Sequence, residues 1–443
     1  MKILPARRLR GTCQVPGDKS ISHRAALIAA LANGTSHISN FSTSQDCAAT
    51  LACLRALGIA FKRQGNSIEF EGQGPRGFRQ PAGPLDCGNS GTTMRLLAGI
   101  LAGQDFSTIL RGDDSLQLRP MKRIIEPLER MGARVLSRDD HPPLQITGSR
   151  TLTAIRYELP IPSAQVKSCV LLAGLQAEGR TEIIERDGLT RDHTERMLRW
   201  FDCPIEFDKK AGLTSCFVVG PASFPGKGVR VPGDFSAAAF FITAAVLLPK
   251  SEIEIEGVGL NPTRTQFLDT LRALGAEIDI GSKRDESNEP VGTIRASGSN
   301  LREGAEKELT LTISGELSAA LIDELPLLAI VGSQLPSGLI IRDARELRFK
   351  ETDRLAATAK NLKAMGAAVE EFEDGLRVIG GARLKGARLE SFGDHRIAMA
   401  FSVAALLAEG ESEVTGSECV AVSFPNFFAV LKSLAERSAG LHF

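Results

Sequence analysis

The sequence predicts an α/β fold made of six repeated units, three in each of two similar halves. Three observations carry this prediction. A phrase in which a leucine-led helix end meets a glycine and then a strand start returns along the chain, at Leu54–Phe61, Leu128–Val135, Leu198–Ile205, Leu271–Ile278 and Leu362–Val369, with a shortened echo at Leu431–Ala435. The copies lie roughly 70 residues apart, a spacing that marks repeat architecture; the fourth interval is longer, so the fourth unit carries an insertion. The start of the chain also recurs: Val15-Pro-Gly-Asp-Lys-Ser-Ile-Ser-His-Arg-Ala25 is matched three units later by Val231-Pro-Gly-Asp-Phe-Ser-Ala-Ala-Ala-Phe-Phe-Ile242. At 443 residues the chain also exceeds the length at which one core stops growing, about 250–300, so at least two domains are expected.

Within each unit the elements follow one order. A helix is introduced by small or polar residues, at Gly17–Ser20, Gly88–Thr92, Pro162–Gln165, Gly233–Ser236, Ser314–Ser318 and Gly393–Arg396. Glycine or serine then leads into a short strand, such as Ser36–Asn40, Thr108–Arg111, Thr181–Glu185 or Leu339–Arg342. A second helix ends at the recurring glycine, which suits the position just past a helix where φ turns positive. The third unit has Asp202-Cys203 there instead. A hairpin follows, as in Ile59–Phe61 with Ile68–Phe70, or Val369–Phe372 with Leu376–Ile379. Strands mixed with two helices per unit make this an α/β repeat.

Charge and composition remove whole classes of function. Lys and Arg total 53 and so do Asp and Glu, so no global field draws in nucleic acid or an anionic membrane; any anion site must be local. A single Trp (Trp200) and a single Tyr (Tyr157) leave few platforms for base stacking. The cysteines are scattered without a C-x-x-C pair, which fits reduced thiols in a cytoplasm, most of them small buried hydrophobes. With no apolar leader and no long apolar run, a soluble cytoplasmic protein is expected. The histidines make no metal pattern, and no dinucleotide, Walker or nucleophile-elbow motif stands in a fitting context.

Candidate ligand groups gather at the helix entries, where unpaired N–H groups and the helix dipole favour anions. Lys19, Ser20 and Arg24 open the first helix, and in the Val231 copy the two cations are replaced by Phe235 and Phe240. The fold therefore needs the turn and the small helix but not the cations. Asn89, Gly91 and Thr92 with Arg95 form a second entry, and Arg119 precedes a helix-starting proline, Pro120. Ser163, Ala164 and Gln165 with Lys167 form a third. Thr190-Arg191-Asp-His-Thr-Glu195 has the ordinary reading of a solvated charged face. Asp323 and Glu324 interrupt the apolar run from Leu321 to Ile330, and burying an unpaired carboxylate is costly, so Asp323 should be partnered or functional. In Lys350-Glu-Thr-Asp-Arg354 a plain helix would set like charges at i and i+4, which gains nothing. Gly393-Asp-His-Arg396 closes the series.

Taken in order, Gly17–Ser20, Asn89–Thr92, Ser163–Lys167, Arg191–Glu195, Lys350–Arg354 and Gly393–Arg396 closely resemble the motifs of the 5-enolpyruvylshikimate-3-phosphate synthase family, from residue 15 to Ser423-Phe-Pro-Asn-Phe427. Several are like its class II branch, whose further marker Asn-(Ser/Ala)-Thr-Arg stands here as Asn261-Pro262-Thr263-Arg264. The resemblance implies the two-domain enolpyruvyl transferase fold: βαβαββ units, three per domain, in inside-out α/β barrels. It implies one domain from residues 1–18 plus 233–443, closed by the N-terminal strand, and another from 19–232, with the active site in the cleft between them and closure over the ligands.

The same resemblance implies transfer of the enolpyruvyl group of phosphoenolpyruvate to the 5-hydroxyl of shikimate 3-phosphate, with no cofactor and no metal, and the internal duplication of the chain makes a monomer the expected species. Carried over by position, shikimate 3-phosphate would meet Lys19, Ser20, Arg24, Ser163, Ala164, Gln165, Arg191, Asp323 and Lys350, with Thr190 standing where a serine is usual. Phosphoenolpyruvate would meet Lys19, Asn89, Gly91, Arg119, Gln165, Arg354 and Arg396. Asp323, Glu351, Lys19 and Lys350 would carry the chemistry. A lysine that the other branch has before a Thr-Phe-Pro is Val422 here, which leaves the phosphate to Lys19 and Arg119. Gly91 beside this site implies inhibition by glyphosate.

Two other readings compete. A UDP-N-acetylglucosamine enolpyruvyl transferase would have the same architecture, but the loop around Asp113–Leu118 lacks the cysteine expected of it as an acid. A non-catalytic phosphoanion binder would gain nothing from Asp323 and Glu351 beside its cations.

Overall fold

Helices Lys19–Leu31, Gly91–Ala102 and Ala164–Gly174 are apolar on nearly every face, and a helix with no polar side belongs in the middle of a core. The computed structural model, which describes residues 1–186, 190–210, 212–301 and 311–436, puts them there. Residues 25–31 have no solvent exposure at all. Close approach is allowed by Gly99, where a Cβ would lie 2.1 Å from the Cys169 carbonyl oxygen.

Each of these helices begins at a side-chain cap. Asp18 accepts from Ile21 N, Ser90 from Thr93 N and Ser163 from Val166 N. Around them stand three sheets with one pattern, a parallel pair extended by two antiparallel strands. Their orders are Gly228–Arg230, Asn33–Ser39, Ser67–Gln73, Ala60–Gln64; then Leu85–Asp86, Ser107–Arg111, His141–Thr147, Arg134–Arg138; then Arg156–Glu158, Gly179–Arg186, Leu213–Gly220, Ile205–Lys210. Helices inside and sheets outside make this unit an inside-out barrel, comprising residues 17–232 with 285–289.

The other unit comprises residues 1–16, 233–284 and 290–443 and has its own core. Its buried helices are Phe235–Leu247, Leu325–Gln334 and His395–Leu407. A five-stranded sheet runs Ile278–Glu286, Glu289–Ser297, Glu252–Gly259, Arg8–Gln14, Ala435–Glu436, beside a four-stranded sheet (Leu311–Ile313, Leu339–Ile341, Gly375–Val378, Val369–Phe372) and a three-stranded one (Lys2–Ile3, Ser412–Thr415, Arg388–Glu390). Two strands are exchanged at the Pro-Gly turns. Arg8–Gln14 precedes the helix at Lys19 but pairs with Glu252–Gly259, whereas Gly228–Arg230 precedes the helix at Phe235 but pairs with Asn33–Ser39. The sequence-based boundaries at 18 and 232 differ from this division at residues 17, 18 and 285–289, the last being the tip of the longest hairpin.

The recurring helix stop behaves as its chemistry requires. Gly58, Gly132, Gly275 and Gly366 have φ of 84°, 105°, 90° and 89°, and Asp202 takes the same place at 55°. Part of the longer fourth interval is the pair of nine-residue strands Ile278–Glu286 and Glu289–Ser297; residues 302–310 of it lie outside the described residues.

Two local expectations are corrected and one is met. Pro120 does not start a helix; that helix is Lys122–Arg130, leaving Arg119 in the connection before it. The fifth buried helix is entered at Glu324 rather than at Ser314–Ser318, where only the short helix Gly315–Ala320 forms, so Asp323 and Glu324 stand at a helix start rather than within one. As their like charges at i and i+4 argue, Lys350 and Arg354 do not share a helix: Asp353 caps the helix Arg354–Ala364, and Lys350 lies in extended backbone before it.

The free cysteines are buried apart from half-buried Cys419, and burial pushes the thiols of Cys47, Cys169 and Cys203 up to about 12. Among the described residues no helix is long and apolar enough to cross a membrane.

Candidate active site

In the unit of residues 17–232 the three helix starts are tied together by polar side chains. Lys19, on the first helical turn, pairs with Asp46 at 2.8 Å. Arg24, one turn further along, is 3 % exposed and donates to the Ser20 carbonyl (2.9 Å), Ser168 Oγ (2.9 Å) and Thr194 Oγ1 (2.7 Å). Burial lowers its guanidinium to about 10, opposed by the Glu195 and Asp18 carboxylates. His23 is buried between these two cations, its Nδ1 against Thr50 Oγ1 at 2.7 Å; desolvation, Lys19 and Arg24 all hold it well below its usual range.

The second and third starts meet at Gln165, whose Oε1 accepts from Arg95 (2.7 Å) and whose Nε2 donates to Thr92 Oγ1 (2.9 Å). Asn89 joins Arg119 to the loop before it: its Oδ1 accepts from Arg119 Nη2 (2.8 Å), and its Nδ2 donates to Asp113 (2.8 Å). Gly91 lies directly under this cation pair, since a Cβ there would be 2.8 Å from Arg95 Nη1 and 3.3 Å from Arg119 Nη1. Ser163 caps its helix, with Ala164 in the first turn.

The charge run Thr190–Glu195 is not a solvated face. His193, Thr194 and Glu195 are buried, and Lys167, with no exposure, pairs with Glu195 at 2.6 Å and Glu185 at 2.7 Å. Burial alone would lower the Lys167 ammonium, but the two carboxylates hold it above its ordinary range. Glu185 in turn accepts from Thr190 N (3.1 Å) and Thr190 Oγ1 (2.5 Å), which fixes the backbone leading into half-buried Arg191.

In the other unit the site is a cluster of carboxylates and guanidiniums. Arg354, 2 % exposed, donates to Asp394 (2.8 Å) and Glu351 (2.6 Å) and lies 3.6 Å from Asp323. Burial would lower it, but Asp394, Glu351 and Asp323 hold it above its usual range. Asp394 also caps the helix His395–Leu407. Arg396, on that helix's first turn, approaches Asp323 at 3.7 Å and donates to its carbonyl (3.3 Å). Lys350 reaches Glu346 at 2.7 Å. In the Val231 copy of the first entry the two cation positions are filled by packing: Phe235 and Phe240 are buried, the latter edge-on to Phe427 at 5.9 Å.

Sequence reasoning singled out the cations but missed several of their carboxylate partners. Asp46 reads as an ordinary acid in the first turn of the helix Gln45–Ala56, and nothing in the sequence links it to Lys19. The pairings of Glu185 and of Asp394, which stands in the Gly393–Arg396 motif, are equally silent, since each acquires its partner only when separate elements pack together.

Six α/β repeats, three in each of two units with their helices buried inside, make the enolpyruvyl transferase fold; the enolpyruvyl transferase NikO from Streptomyces tendae shares it with a TM-score of 0.78 at 20% identity, over 98% of this chain and 96% of that one. The solved EPSP synthase from Acinetobacter baumannii is nearer, with a TM-score of 0.85 and 38% identity over 98% of both chains. A 3-phosphoshikimate 1-carboxyvinyltransferase of Koribacter versatilis (strain Ellin345) is 49% identical over 99% of each chain. The chain belongs to the EPSP synthase (3-phosphoshikimate 1-carboxyvinyltransferase) family, whose model matches residues 3–431.

Proposed function

We propose that this chain transfers the enolpyruvyl group of phosphoenolpyruvate to the 5-hydroxyl of shikimate 3-phosphate and releases phosphate. The observation that carries the reading is Arg354, one buried guanidinium that faces both Asp323 and Glu351. Carboxylates on the cation weaken its hold on a polyanion, whereas an addition followed by an elimination needs two proton-handling groups.

In the addition the 5-hydroxyl oxygen bonds to C2 of phosphoenolpyruvate, its proton leaves to a base, and C3 takes a proton to become a methyl group. In the elimination the C3 proton is withdrawn, the double bond re-forms and phosphate departs with its bonding electrons. Asp323 serves the hydroxyl and Glu351 serves C3, with Lys19 and Lys350 balancing the moving charge. Ser20 and Arg24 take the shikimate carboxylate; Ser163, Ala164 N–H and Arg191 take its 3-phosphate, and Gln165 and Lys350 its ring. Lys19, Asn89, Gly91 N–H, Arg119 and Gln165 surround the phosphate of phosphoenolpyruvate, and Arg354 and Arg396 its carboxylate. Support comes from the cation-free Val231 copy, because a fold that manages without these cations once retains them elsewhere for a ligand.

Phosphate release with phosphoenolpyruvate plus shikimate 3-phosphate, run against UDP-N-acetylglucosamine as the other acceptor, tests the assignment. Release is expected only with the shikimate ester. Release only with the sugar nucleotide would overturn it.

A further inference from the structure

The motif Asn261-Pro262-Thr263-Arg264 holds no substrate in this reading, yet it ends against the proposed base. Asn261 Oδ1 accepts from Thr263 N (2.9 Å) and Thr263 Oγ1 (2.7 Å), and the Asn261 carbonyl accepts from Arg264 N (2.8 Å), so the motif is a closed turn. Pro262 suits its first corner, where φ near −65° is needed. The turn delivers Arg264, 6 % exposed, to Asp323 Oδ2 and Glu324 Oε1, each at 3.7 Å. Ser236 lies between, accepting from Arg264 and donating to Glu324.

Asp323 is faced by cations from three elements: Arg264 before the helix Gln266–Ala273, Arg354 on its helix at 3.6 Å, and Arg396 on another at 3.7 Å. The acids nearby are Glu324, against Arg264 and Arg396, and Glu351 and Asp394, both on Arg354. When phosphoenolpyruvate binds as read above, Arg354 and Arg396 turn to its carboxylate. Arg264 is then the guanidinium that the substrates do not claim.

Building on the assignment of Asp323 as base, we infer that Arg264 is a positioning residue, which fixes the Asp323–Glu324 turn and leaves a positive charge beside Asp323 while the other two arginines serve the substrate. A fixed cation at this distance favours the ionised carboxylate, the form a base requires. Glu324, 1 % exposed, anchors Arg264 from the far side.

The test uses the double variant Arg264→Met, Glu324→Gln, which removes both buried charges together and leaves neither alone. Its kcat should fall about tenfold at neutral pH and the acid limb of its kcat–pH profile should move up by about one unit, while KM for phosphoenolpyruvate stays within about twofold. Arg264→Lys keeps the charge and should hold the limb at its wild-type position. An unmoved limb in a double variant that unfolds cooperatively overturns the inference. If the double variant does not fold, Arg264→Lys decides alone, because a tenfold rise in its KM would make Arg264 a substrate ligand and overturn the inference, and a retained KM and limb would support it. Asp323→Asn is the control: near-normal turnover there would bring down the reading of Asp323 as base instead.

Discussion

Lys19 Nζ lies 2.8 Å from Asp46 Oδ2, with the two side chains only 19 % and 8 % exposed. The pair joins the first turn of one helix to the first turn of the next, so the lysine's head is aimed by a partner rather than free in solvent. Replacing Lys19 with Met should leave the fold in place at a cost of about 3 kcal/mol, because nearly buried Asp46 loses its cation. Turnover should drop at least about a hundredfold. Thermal unfolding and phosphate release measured on the same preparation check both; near-normal activity would remove Lys19 from the chemistry.

Gly91 leaves room for the Arg95 and Arg119 guanidiniums above the helix start. In Gly91→Ala the added carbon would come within 2.8 Å of Arg95 Nη1, the far end of a flexible side chain, so Arg95 must shift and strain its 2.7 Å bond to Gln165. KM for phosphoenolpyruvate should rise about tenfold with little change in melting temperature. The unaltered protein should be inhibited by millimolar glyphosate, and an untouched rate would refute that expectation.

His23 is buried as the neutral imidazole, its pKa far below the ordinary 6.5. Below pH 6.5 the unfolded chain therefore binds a proton that the folded chain refuses. The sign is that stability falls as pH falls, by about 1.4 kcal/mol per unit, from 6.5 down to the depressed folded value. Denaturant titrations at pH 7 and pH 5.5 should show a smaller loss for His23→Gln than for the unaltered protein. Equal losses would mean that His23 takes up its proton without disturbing the fold.

Glu351 is held at 2.6 Å by Arg354. Glu351→Gln keeps the shape and removes the proton-handling group, so kcat should fall about a hundredfold while phosphoenolpyruvate affinity is kept. Exchange of the C3 hydrogens with deuterated solvent should slow in parallel. Rapid exchange in this variant would assign the carbon proton to another group.

Much of the fold was legible because repeats state each instruction several times. The stop at Gly58 returns at Gly132, Gly275 and Gly366, so a single ambiguous reading is corrected by its copies, and even Asp202 could be placed by period alone. The comparison of Val15–Ala25 with Val231–Ile242 separated ligand groups from fold groups without any coordinates. Where a unit departs from the pattern, reading failed. The entry at Ser314–Ser318 mimics the others in composition, but the buried helix waits until Leu325, and only that shift puts Asp323 at a helix start, where the dipole favours its charge. Similarly, Thr190–Glu195 reads as surface because Lys167, which pairs with Glu195, and Glu289, which faces His193, lie in other elements.

By itself, the sequence determined the repeat, the helix entries and stops, and which entries carry charge, because these depend on local backbone preference and on the spacing of apolar residues. Tertiary structure alone decided the pairings: Asp46 with Lys19, Asp394 with Arg354, Glu185 with Lys167, and Arg264 with Asp323. A buried charge is tolerated only beside its opposite, and which opposite is within about 4 Å is set by how whole helices pack, something no local stretch of chain encodes.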